Sequence, residues 1–293
     1  MRWTKLAVPL LLTTACTNGA RTSANNDAAV SSRAADPPTG RQPDVIYVPT
    51  KMEVVELMLS LAKVDSNDMV YDLGSGDGRI VITAASRRGA RGVGIDIDPQ
   101  RIRESLANAD FAGVSDKVEF RRADLFRADL RPATAVTLYL LEHLNVRLRP
   151  KLYSQLRPGT PVVSNTFNMG TWEPDSTVIV DNRYIYLWHV PAIVAGTWIL
   201  QVGDTASGQR GEVTIAQRYQ RFSGVSRIGG RTDSLTATHL HGDSIRFTIG
   251  GGPNVFSGVV SGSTMRGTTQ SGVEWRATRR GPAGSPFPLE KGR

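Results

Sequence analysis

Cysteine is nearly absent from this 293-residue chain. With Cys16 alone, no intrachain disulfide can form and no cysteine-based metal cluster can be built. Histidine is scarce as well, at four residues. His239 and His241 lie two apart on an expected strand and so face one side, while His143 and His189 show no evident partner, and no metal site is expected. Only six of the 35 basic residues are lysines, and the arginines are scattered, with no block of five or six like charges. The net charge of +8 therefore describes dispersed surface charge and gives no tract for nucleic acid. The leading apolar run, Leu6 to Leu12, is too short to span a bilayer as a helix. What remains is an ordinary globular composition, 40% hydrophobic and 21% charged, long enough for one large domain or two modest ones.

The start of the chain has its own pattern. Arg2 and Lys5 precede the apolar run, and Thr13, Thr14 and Ala15 stand immediately before Cys16. This resembles a bacterial lipoprotein signal over residues 1–16, in which the cysteine becomes a lipidated N-terminus; Thr13 departs from the leucine usual at that place. The resemblance implies a lipid anchor at Cys16 and a location in the bacterial cell envelope, the alternative being a cytoplasmic protein with a ragged leader. Residues 17–43 are rich in Ala, Ser, Thr, Asn, Asp and Pro and read as a disordered tether, since they cannot bury enough apolar surface to offset their ordering entropy.

Residues 44–192 alternate short apolar runs with amphipathic segments, which predicts an α/β domain around a largely parallel sheet. Thr50-Lys51-Met52-Glu53 has the form of a capping box and opens a helix over 50–63. Strands are expected at 69–73, 92–97, 118–121, 135–141, 161–166, 177–180 and 184–190, with helices at 79–88, after Asp98-Pro99, and at 148–156. Beyond Gly196 the helical signal stops. Six β-rich segments at 197–202, 212–222, 234–240, 244–249, 255–260 and 273–278, parted by glycine turns, predict a small antiparallel domain over 193–280, sandwich or barrel. Residues 281–293 are expected to be a loose tail.

The chemistry concentrates in VYDLGSGDGRI, residues 70–80, between an expected strand and helix. Gly74, Gly76 and Gly78 allow a tight turn and close approach of a ligand to the backbone. A dinucleotide fingerprint would place its third glycine three residues after the second, where this chain has Arg79. Asp72, ahead of the glycines, would repel a pyrophosphate and suits a ligand carrying ammonium and sulfonium charge.

These residues resemble the Asp-x-Gly-x-Gly-x-Gly motif of class I, seven-strand methyltransferases, which implies a Rossmann-like sheet and S-adenosyl-L-methionine as cofactor. On that resemblance Asp72 and the loop Gly74, Ser75, Gly76 to Gly78 would hold the methionine part. Asp96 in GVGIDIDP, with Ile97 beside it, would take the ribose hydroxyls, since a carboxylate can accept from two adjacent OH groups. Asp124 would sit near the adenine amino group, with Leu125 packed on the ring. Asp98 reads as a helix cap; Asp77 reads equally as a residue that only solvates the loop or caps the following helix and as one that serves the ligand.

A narrower resemblance covers residues 46 to about 190. IYVPT at 46–50, the glycine loop, LYLL at 138–141 and LRPGTPVVSNTF followed by Trp172 are similar to the protein-lysine methyltransferases that include the ATP synthase c-subunit enzyme. It implies that Tyr47 and Thr50 close over the cofactor and that Leu138, Tyr139 and Leu140 line the acceptor channel, with Tyr139 its catalytic wall. That family acts inside cells or mitochondria, at odds with an export signal. Methylation of a base amine resembles a different pattern, Asn or Asp with Pro-Pro-aromatic, and residues 138–141 depart from it. The expected acceptor is a protein lysine. A small molecule is the alternative, and a non-catalytic envelope lipoprotein that binds the cofactor is a further one.

Overall fold

In a computed structural model, residues 46–204 and 208–287 can be described. The leader, Cys16 and the tether, at residues 1–43, lie outside the described residues. No helix among the described residues is long and apolar enough to cross a membrane.

The first half is a three-layer α/β unit. Its helices are α1 (Met52–Leu61), α2 (Arg79–Arg88), α3 (Pro99–Phe111) and α4 (Glu142–Gln155). Its strands are β1 (Met69–Leu73), β2 (Arg91–Asp96), β3 (Val118–Arg122), β4 (Ala135–Leu138), β5 (Pro161–Asn165), β6 (Ser176–Val180) and β7 (Arg183–His189). They form one sheet in the order β3-β2-β1-β4-β5-β7-β6. The first five are parallel, whereas β7 runs antiparallel to both β5 and β6.

Strand alternation explains why both faces are covered. Val70, Ala135 and Val163 face α1 and α2, packing with Val54, Val55, Met58 and Ile80. Tyr71, Val136 and Val162 point the other way, into a cluster with Leu144, Leu148 and Leu152 of α4. The strand order reverses between β1 and β4, so the loops after β1 and β4 diverge and leave a crevice at the carboxyl ends of the strands.

The second half is a closed antiparallel barrel of β8 (Gly196–Val202), β9 (Gln209–Arg218), β10 (Arg221–Ile228), β11 (Arg231–His241), β12 (Ser244–Ile249), β13 (Val255–Ser261), β14 (Thr264–Thr269) and β15 (Glu274–Arg280). Side chains fill its interior: Phe247 stacks on Phe256 with ring centroids 5.1 Å apart, and Trp275 meets both edge-on.

Several expectations are corrected. The Thr50 capping box does not form: Lys51 stands at the N-cap without a side-chain cap, and Thr50 is buried with its carbonyl taken by Arg79. The fourth strand ends at Leu138, three residues early, and the helix expected from 148 begins at Glu142. The single strand expected over 212–222 is the hairpin of β9 and β10, and β14 joins the barrel unforeseen. Residues 281–287 are no loose tail: the Pro286 carbonyl accepts from Tyr219 N at 2.9 Å, and Phe287 packs on Tyr153 and Tyr219.

Candidate functional site

Three successive parallel strands each deliver an aspartate to the crevice. Asp72 lies on β1 beside Thr137 of β4, whose hydroxyl donates to Asp72 Oδ1 at 2.8 Å. Burial pushes the Asp72 carboxyl up to about 7, with the negative charges of Asp96 and Asp77 adding to the effect. Asp96 ends β2, and burial raises its pKa too. Its oxygens accept from Gly76 N at 2.8 Å and Asp98 N at 2.9 Å, which leaves each with lone-pair capacity. Asp124 follows β3 and accepts from Phe126 N at 2.9 Å.

The glycine loop folds onto the end of β2. Gly74 N and Ser75 N both donate to the Ile95 carbonyl, at 2.8 and 3.0 Å. Gly76 has φ +55°, and a β-carbon there would land in the Tyr47 ring, so only glycine lets that ring lie across the loop. Gly78 at φ +80° caps α2, and its missing β-carbon makes room for Phe120 and Ser105.

A cleft of about 520 Å³ opens above these elements, within the range of small-molecule sites. It brings together Tyr47, Thr50, Asp72, Gly74, Ser75, Asp96, Ile97, Asp124, Leu125 and Tyr139. Gly76 and Gly78 do not line it, and neither does Leu138, which is buried in the core. The expectation that Leu138 lines an acceptor channel is therefore corrected: as the last residue of β4 it points into the sheet's core, while Tyr139 and Leu140 reach the cleft.

Ser75 Oγ is buried at the cleft wall without a hydrogen-bond partner, an orphan that a polar ligand would satisfy. Tyr139 is only partly buried; its hydroxyl accepts from Arg183 at 2.6 Å and its ring stacks on Phe167 at 6.2 Å. An aromatic wall with a cation bound at its tip thus borders one end of the cleft.

The sequence reading missed the residues that hold the 46–50 segment in place. Arg79 donates to the Thr50 carbonyl at 2.7 Å and is fixed by a bidentate pair with Asp77. Arg101 lies over the Tyr47 ring, 4.5 Å from its centroid. Both arginines line the cleft, and the tripeptide Asp77-Gly78-Arg79 was the available signal for the first of them.

Residues 72–176 match the ANTKMT methyltransferase domain. The chain is similar to a protein-lysine N-methyltransferase of Saccharolobus islandicus, 44% identical over 151 residues, which span 50% of this chain and 94% of the archaeal protein. It is also similar to the adenine nucleotide translocase lysine N-methyltransferase of Mus musculus, at 38% identity over 46% of this chain and 58% of the mouse protein. Among solved structures, an RNA methyltransferase from Salinibacter ruber in complex with S-adenosyl-L-homocysteine is 58% identical, covering 48% of this chain and 93% of that one, with a TM-score of 0.48. The chain spans little more than half the length of the mouse relative.

Proposed function

The chain belongs to the family of protein-lysine N-methyltransferases and is a methyltransferase dependent on S-adenosylmethionine; we propose that its acceptor is the side-chain amine of a lysine in a protein. The observation that carries the reading is the convergence of Asp72, Asp96 and Asp124 on one cleft beside the orphaned Ser75 hydroxyl. Three acids and a glycine-rich turn suit a cationic nucleoside and oppose a pyrophosphate.

In this reading Asp72 and the backbone at Gly74 and Ser75 face the amino-acid part of the cofactor, Asp96 the ribose hydroxyls, and Asp124 with Ile97 and Leu125 the adenine. Tyr47 and Thr50, held by Arg101 and Arg79, cover it. When bound, the cofactor would supply a methyl group from its sulfonium to the amine, with the neutral thioether as the leaving group. The protein's part is to hold the amine in line, which supplies most of the acceleration, and to present it without its proton. An ammonium of ordinary pKa near 10.4 has no lone pair; the Tyr139 ring, stacked on Phe167, offers an apolar wall that disfavours the charged form of an amine placed against it. The sequence of the leader supports tethering of this enzyme to the bacterial envelope through Cys16, and the proposal includes that tether.

Labelled methyl transfer from S-adenosylmethionine into a host lysate, read by peptide mass spectrometry, tests the acceptor class. Methylated lysine on a protein is expected; label confined to small molecules would overturn the proposal.

Asp72 gives the cleft a pH dependence whose sign is fixed. Its carboxyl takes up a proton near pH 7 in the folded chain, against an ordinary 3.8, so the ionised form is disfavoured and ligand-free stability declines as pH rises between those values. A cationic ligand favours the ionised form, and binding below pH 7 must expel that proton. Cofactor affinity is therefore expected to fall as pH drops from 7 to 5, approaching roughly tenfold per unit. Calorimetry in buffers of different ionisation enthalpy measures the proton released. Asp72→Asn should bind more weakly at pH 7 with a flat profile, and an unchanged slope in that variant would remove Asp72 from the binding site.

A further inference from the structure

The methyl-transfer site leaves unused a cluster where the barrel meets the sheet. Asp175 stands just before β6, His189 ends β7 and His241 ends β11. One ligand atom from each lies within 4.8 Å of the others. His189 Nδ1 and Asp175 Oδ2 are 3.2 Å apart. Two donors about 2.0–2.1 Å from one tetrahedral ion stand roughly 3.3 Å apart, so this pair already has the edge length of a zinc site. The imidazoles of His189 and His241 have centroids 4.5 Å apart, which brings a second nitrogen ligand to the same point.

The backbone holds all three donors from both sides of the seam. Asp175 N donates to the Leu187 carbonyl at 2.8 Å, and Asp175 Oδ2 accepts from His189 N at 2.6 Å. On the barrel side, the residue after His241 is anchored, because the Gly242 carbonyl accepts from Ala192 N at 2.7 Å. Gln220, in the turn between β9 and β10, donates to the Glu173 carbonyl at 2.7 Å and pins the Asp175 segment a second time. Preorganisation of this kind lowers the ordering cost of binding an ion. Asp175 and His241 are exposed, so an ion can enter from solvent.

We propose that Asp175, His189 and His241 bind one Zn²⁺ ion, which fastens the barrel to the sheet. Two imidazoles and a carboxylate select a borderline-soft divalent ion over calcium or magnesium, which demand more oxygen donors. Water completes the tetrahedron on the exposed side. His239 shares the outward face of β11 and takes no part.

The test is titration of the full chain, purified without a polyhistidine tag, with Zn²⁺ by calorimetry, and with Co²⁺ by visible absorption. One ion per chain is expected, with an intense tetrahedral Co²⁺ band and a rise in Tm on adding Zn²⁺. His241→Ala and Asp175→Asn should each weaken Zn²⁺ by about 100-fold or more, beyond the 10–100-fold of outer-sphere changes, and abolish the Tm rise. His239→Ala should leave both unchanged. No saturable Zn²⁺ binding in the wild type, an octahedral Co²⁺ spectrum, or wild-type affinity in His241→Ala would each overturn the site.

Discussion

Replacing Asp96 by alanine is expected to weaken S-adenosylhomocysteine binding about 100-fold or more and to lower the melting temperature at the same time. A hydrogen bond to a charged acceptor contributes about 1.5–3 kcal/mol, and a ribose diol makes two of them, so roughly 3 kcal/mol of affinity is at stake. The stability loss has a separate origin. Asp96 also accepts from Gly76 N and Asp98 N, which tie the glycine loop to the start of α3. Alanine leaves both donors without that acceptor, at about 1–3 kcal/mol for such a group where water is excluded. Asp96→Asn separates the two effects in part. Its one carbonyl oxygen keeps one of the two backbone donors while its NH2 group faces the other, and it loses the charge that two hydroxyls would share, so affinity should fall as in the alanine variant while Tm falls only about half as far. Calorimetry with the demethylated product, which cannot turn over, measures the first effect and scanning calorimetry the second. Affinity within about threefold of wild type in the alanine variant would detach Asp96 from the ribose.

The parts of this site that could be read in the sequence are those where one residue type has a single local explanation. Met69–Leu73 and Arg79–Arg88 match their expected bounds because an apolar run and an amphipathic run flank glycines that neither element tolerates. The Asp98 cap forms as expected, accepting from Gln100 N at 2.7 Å ahead of Pro99. Where tertiary contacts decided the outcome, the local signal misled. Thr50 has the spacing of a cap, yet Arg79, 29 residues away, takes its carbonyl and draws the segment over the cleft. The turn between β9 and β10 contains no glycine or proline; Tyr219 adopts φ +53° there because its ring is stacked on Trp172. His189 showed no partner because its neighbours come from residue 175 and from the barrel.

The first turns of α4 were hidden for a related reason, and the residue responsible carries the other large expected effect. Pro150 sits inside α4 and has no N–H for the carbonyl four residues earlier, that of Val146. Asn145 and Arg149 interrupt the apolar pattern, so the helix reads as broken. In the fold Arg149 repairs the defect: its Nε donates to the Val146 carbonyl at 3.2 Å. The same guanidinium reaches the Met169 carbonyl at 3.2 Å, the Thr171 hydroxyl at 3.1 Å and the Tyr219 hydroxyl at 2.6 Å, linking helix, sheet loop and barrel. Arg149→Met should therefore destabilise the chain by about 3–5 kcal/mol, since several buried acceptors lose a charged donor at once. For a protein of this size that is roughly 6–20 °C in Tm. Arg149→Lys should recover only part, because one ammonium cannot reproduce a planar fork that spans several acceptors. If the arginine couples the two halves, Tyr219→Phe costs much less in the Arg149→Met background than in the wild type, and a double-mutant cycle reads that coupling directly. A loss below about 1 kcal/mol in Arg149→Met, or strictly additive effects of the two changes, would mean that Arg149 does not couple the halves and that the aromatic contacts with Trp172 and Tyr153, with hydrogen bonds such as Gln220 to Glu173, hold the barrel without it.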